Sequence, residues 1–166
     1  MLAIALLILG IASRLITHIP NFTPVIALSL FSGVYLKKEQ AVIMPLVLLA
    51  ISDLILGFHE TMAFTYISVL LISLIGLWLK NRKNVMNITM TSLCSSILFF
   101  VITNFGVWLV SGMYPLTAAG FKDCFILALP FFKTELFSTI VYTVVFFGSY
   151  ELIASRIKNT RFAHVL

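Results

Sequence analysis

The chain is built from apolar runs too long for the strands or helices of a soluble core. No other feature constrains its fold as much. Where no water reaches, every backbone N–H and C=O must be satisfied inside its own segment, so such runs fold as helices of about 17 to 25 residues. Six can be read, at roughly 2–17, 23–36, 40–57, 61–79, 91–112 and 131–154. Composition agrees, with 61% of the 166 residues hydrophobic and 10% charged, against about half and a quarter in a soluble domain. The sequence predicts an all-α integral membrane protein. It reads as a single domain over 1–166, a six-transmembrane-helix bundle with no internal repeat or linker.

Two stretches depart from regular spans. The run at 23–36 is short, opening on Thr23-Pro24, which suits a capping side chain followed by a first-turn proline. It must thin the bilayer or be sheltered by neighbours. The stretch 113–130 opens with Tyr114-Pro115 and is mixed in polarity, which predicts a loop with a short surface or re-entrant helix before Pro130 restarts the chain. Gly10-x-Ala12 also allows the first run to be a cleaved signal peptide, although no Lys or Arg precedes it.

The net charge of +5 comes from 11 Lys and Arg against 6 Asp and Glu. No basic stripe is interleaved with aromatics, which argues against nucleic acid as a partner. Across the six spans, Lys37, Lys38, Lys80, Arg82, Lys83, Arg156, Lys158 and Arg161 fall on one side, and Arg14, Lys122 and Lys133 on the other. Basic loops are retained in the cytoplasm, so eight against three places the first side inside, with both termini cytoplasmic and the chain multi-pass in the cell membrane.

With this orientation the polar side chains at membrane depth gather in the outer half. Arg14 lies near the outer end of helix 1, Asp53 about one and a half turns below the end of helix 3, and Asn104 about two turns below the end of helix 5. Lys133 and Glu135 sit in the first turns of helix 6, and His18, Asn21, His59 and Glu60 in outer loops. Ionisable groups in a span face a partner or a cavity. One reading is structural, with Arg14 paired to Asp53, and Lys133 to Glu135 or Glu60. The other is an outward-facing pocket walled by Tyr66, Phe105 and Trp108, in which Arg14, Asp53, Asn104 and His59 orient a small ligand. Both can hold together. Small residues mark close packing, within the bundle or against a partner, at Ala3 with Gly10, Ala5 with Ala12, and Ser29-x-x-x-Gly33.

Signals for catalysis and metals are weak, so neither enzymatic activity nor a cofactor is expected. His59-Glu60 begins like a zinc protease helix, but Ala63 stands where the second His is needed. There is no G-x-S-x-G turn, and Cys94 falls at mid-bilayer, where a thiolate is poorly supported. Cys94 and Cys124 have no metal-ligand spacing. Phosphate-cradling glycine loops are absent, so ATP-driven transport needs another chain for its nucleotide site. Asn21-Phe22-Thr23 fits a glycosylation sequon and is read as chance.

Arg14, HIPNFTPVIALSLFSGVYL from His18, SDLILGFH from Ser52, TNFGVWLVSGMYP from Thr103 and GFKDCFILALPFF from Gly120 carry a resemblance that spans most of the chain. It resembles an uncharacterised family of small six-helix membrane proteins regarded as transport proteins, similar in layout to the S components of energy-coupling factor (ECF) transporters. The resemblance implies that helix 1, the first outer loop and the connection before helix 6 enclose a substrate. It also implies a transmembrane coupling protein and two ATPases as partners. S components dock through Ala-x-x-x-Ala on the first helix, and here Leu7 and Leu9 stand four residues after Ala3 and Ala5.

The leading expectation is therefore a substrate-binding membrane subunit for uptake of a small molecule. The alternative is a non-transporting scaffold resembling the rod-shape-determining membrane protein D family. An intramembrane enzyme ranks below both, because no nucleophile stands beside a base. A hollow outer half separates the first reading from the second.

Overall fold

A computed structural model describes residues 2–16 and 19–157. They form six helices, α1 Leu2–Ile16, α2 Val25–Tyr35, α3 Lys38–Leu56, α4 Met62–Leu79, α5 Val85–Val110 and α6 Ala118–Ile157. Four of these, α3 to α6, are long and apolar enough to cross a membrane, and α1 and α2 are shorter apolar helices.

The short helix is the axis of the bundle. α2 is apolar on every face, which suits burial on every side. It touches α1, α3, α4, α5 and α6, and ten of its 11 residues are buried. At about 16 Å it is half the length that a hydrocarbon core requires, and its neighbours cover it on every side. Its closest approach is to α4, where a Cβ on Gly33 would stand 2.5 Å from the Ser73 carbonyl and 2.6 Å from the Gly76 Cα. The Ser29-x-x-x-Gly33 face is thus packed within the bundle. Gly10 of α1 likewise faces the side chains of Leu48 and Leu28.

α2 starts differently from the sequence expectation. Pro24 occupies the cap position without a side-chain cap, and helix begins at Val25. The Thr23 carbonyl is instead the acceptor for Ser138 Oγ of α6, at 3.1 Å. α5 starts earlier than its apolar run, because Asn84 caps it by accepting from the Asn87 N–H at 2.8 Å. Thr89 and Thr91 then donate to carbonyls in the preceding turn.

The largest correction concerns 113–130, where there is neither a separate surface helix nor a re-entrant one. Thr117 caps α6, its Oγ1 accepting from the Gly120 N–H at 3.2 Å, and the helix continues through Pro130 for 40 residues. It lies antiparallel against α5 over most of that length. Trp108 meets Phe121 at 5.3 Å, Phe100 meets Phe132 at 4.6 Å, and Ser92 meets Thr143 at 3.2 Å. Pro130 removes one backbone bond, which a helix packed on a neighbour tolerates. Gly120, in the first turn of α6, lies against the Pro115 carbonyl, where a side chain would not fit.

The connections 36–37 and 80–84 lie at one end of the bundle, here the basic end. There Lys80 Nζ donates to the Leu36 carbonyl at the C-terminus of α2, at 3.0 Å. Glu151 pairs with Lys83 at 2.9 Å and accepts from Tyr35 Oη. The segments 19–24, 57–61 and 111–117 lie at the opposite end.

Candidate functional site

Because α2 fills only half the height of the bundle, space is left beyond its N-terminus. A cavity of about 320 Å³ occupies it. Val25 and Ile26 of α2 line it, with Arg14 from α1, Leu49 from α3 and Thr65 from α4. α5 adds Phe99, Phe100, Thr103, Asn104 and Val107, and α6 adds Ala128, Phe131, Phe132 and Glu135. Asn21 and Thr23 close one side, and His59 another. Asn21 has φ 60°, a left-handed conformation that Asn tolerates better than most side chains.

The charges of this end are organised around Asp53, which is 1% exposed. Arg14 Nη2 stands 3.0 Å from Asp53 Oδ1, and Tyr66 Oη donates to Oδ2 at 3.1 Å. Arg14 Nη1 also donates to Ser52 Oγ. One ion pair, with its supporting hydroxyls, thus ties α1, α3 and α4 together, and Arg14 borders the cavity with its charge matched.

Glu135 has no such match. It is 6% exposed, and its Oε1 has no hydrogen-bond partner among the described residues. Ser96 of α5 faces the carboxyl. The buried hydroxyls of Ser95, Ser96 and Thr139 are also without partners, so an unsatisfied polar seam runs between α5 and α6 beneath the cavity. The N-terminus of α2 lies nearby, but none of its N–H groups donates to Glu135. A helix terminus contributes about 0.3–1 kcal/mol to a neighbouring charge, and up to about 2. An uncompensated buried ion costs several kcal/mol, so the dipole leaves most of that cost standing.

Of the residues singled out from sequence, Arg14, Asn21, His59, Asn104 and Glu135 line the cavity, and Asp53 stands behind Arg14. His18 lies outside the described residues. Tyr66 turns away to Asp53, and Lys133 is exposed and forms no ion pair with Glu135 or Glu60 among the described residues. Positions 133 and 135 are two apart and project from different sides of the helix. Phe105 and Trp108 are not the aromatic wall. Phe105 is one residue past Asn104, about 100° round the helix, and packs on Phe64. Trp108 Nε1 donates to the Pro115 carbonyl at 3.1 Å and meets Phe121 edge to face, holding the 111–117 connection.

The wall consists of Phe99, Phe100, Phe131 and Phe132, which sequence reasoning missed. A signal was present. Phe100 is four residues before Asn104, and Phe131 and Phe132 are four and three before Glu135, which puts them on the same helix faces. His59 stays at the rim, its Nδ1 3.0 Å from Thr61 Oγ1. No three His, Cys, Asp or Glu among the described residues gather in a metal-binding group. A second, apolar cleft opens sideways between α1 and α3, lined by Ala3, Leu7, Ile43 and Val47.

Residues 1–161 match a family of unknown function, DUF6580, and the chain belongs to it. No curated protein and no solved structure matches it.

Proposed function

We propose that this family member is a membrane-embedded substrate-binding subunit for uptake of a small molecule, similar in layout to the S components of ECF transporters. One observation carries the reading. The bundle is hollow beyond α2, and polar groups from four helices and two connections converge on an otherwise apolar space of metabolite size. A scaffold whose polar groups served only to hold helices together has no use for that volume.

The distribution of charge supports an outward opening. Among the described residues, Lys37, Lys38, Lys80, Arg82, Lys83 and Arg156 belong to the basic end, and Arg14, Lys122 and Lys133 to the cavity end. Retention of the basic end in the cytoplasm turns the cavity outward and leaves both termini inside. ATP-driven uptake would draw its nucleotide site from partners, a transmembrane coupling protein and ATPase subunits, since the sequence has no nucleotide-cradling glycine loop.

The test is mass spectrometry of small molecules released from the full chain purified in mild detergent, beside Ala128→Phe, which fills the cavity from α6. The expected result is one compound enriched with the wild-type chain and lost from the variant. Equal recovery from both, or no enriched compound from either, contradicts the proposal.

A further inference from the structure

The cavity holds one ionisable group that the protein leaves unmatched. Glu135 has a buried, unpartnered Oε1 and lines the cavity. Among the described residues no cation reaches it. Arg14, the permanently charged lining residue, is already committed to Asp53 and Ser52. A carboxylate walled by apolar side chains requires either a cation or a proton.

The remaining polar lining favours the cation. Thr103 Oγ1 donates its one proton to the Phe99 carbonyl at 2.8 Å, and Asn104 Nδ2 donates to the Phe100 carbonyl at 2.8 Å. Thr65 Oγ1 turns its proton to the Thr61 carbonyl. With their only protons used inside their own helices, the two threonine hydroxyls present lone pairs, as does Asn104 Oδ1, and Asn104 keeps one amide proton. The Ser96 hydroxyl facing Glu135 is one donor, and the acceptors beside the carboxylate complement a group rich in donors, as an ammonium is. The ring faces of Phe99, Phe100, Phe131 and Phe132 complete a surface that attracts positive charge.

We infer that the cavity takes a small organic monocation, its ammonium group held by the Glu135 carboxylate and its apolar body against the four phenylalanines. The inference rests on the cavity being a binding site and names the substrate class of that site.

Three probes matched in size separate the charge classes: phenethylammonium, phenethyl alcohol and phenylacetate. Each is titrated against the full chain in mild detergent, with thermal unfolding followed by tryptophan fluorescence. Phenethylammonium should raise the midpoint with concentration, and the other two should leave it in place. Glu135→Gln keeps the shape and removes the unmatched charge, so it should unfold no earlier than wild type. It should weaken the apparent affinity for phenethylammonium by roughly tenfold or more, as loss of one charge-assisted hydrogen bond implies. Phe132→Leu should weaken it too, and Glu151→Gln, at the basic end, should respond like wild type. Stabilisation by phenylacetate or the alcohol alone, or an undiminished response in Glu135→Gln, overturns the inference and leaves the cavity a binding site for another class. A Glu135→Gln chain that is more stable while no probe binds wild type shows a proton site only, which also overturns it. Failure of all probes together with no copurifying compound removes both readings.

Discussion

At Asp53 the two carboxylate oxygens are divided between Arg14 and Tyr66, and almost no water reaches either. Deleting one partner leaves the other charge buried and unmatched, at a cost of roughly 3–5 kcal/mol. Asp53→Ala should lose that much stability in a denaturant titration of the detergent-solubilised chain, and adding Arg14→Ala should cost less than the sum of the single losses. Additive losses would contradict the pairing. Tyr66→Phe removes only the supporting donor and should cost about 1–3 kcal/mol in the same assay. A loss as large as that of Asp53→Ala would mean that Tyr66 does more than donate to the carboxylate. The pairing was legible in sequence because two opposite charges at similar depth in apolar runs have few other partners. Glu135 was misread for a local reason. Lys133 is near it along the chain and on another side of the helix, so proximity in sequence promised a partner that helical geometry withholds.

For the elements, hydrophobic runs located all six helices, but the ends followed capping rather than hydropathy. α5 begins at the Asn84 cap and α6 at Thr117, both polar positions outside the apolar runs. Pro130 looked like a boundary because a proline disfavours helix before it, yet packing along α5 outweighs that local preference. The shortness of α2 was legible, and so was its need for shelter. That its shortfall leaves a hollow was not, because a run length gives no account of what lies beyond its end. The α2–α4 contact gives a direct test. Gly33→Ala drives a methyl into the α4 backbone and should cost about 1–3 kcal/mol by overpacking. Gly148→Ala, with nothing within 4 Å of the new Cβ, should be neutral or gain about 0.5–1 kcal/mol from helix propensity. Equal effects of the two substitutions in a thermal unfolding series would show that α2 and α4 are not in backbone contact.

In the whole molecule, a central helix buried but for its last residue, a ring of apolar helices and a strongly basic end combine into a vessel closed at one end. The closed end is sealed by Lys80 on the α2 C-terminus and by the Lys83, Tyr35 and Glu151 cluster. The other end holds the hollow. Cysteine accessibility in intact cells, with Cys94 and Cys124 replaced by Ser, tests this arrangement most directly. Asn104→Cys should react with a membrane-impermeant maleimide added outside, because its side chain lines the cavity that the proposed orientation turns outward. Asn81→Cys, at the basic end, should react only after the membrane is permeabilised. An Asn104→Cys chain that stays unlabelled from outside, or an Asn81→Cys chain that labels readily there, would contradict the account.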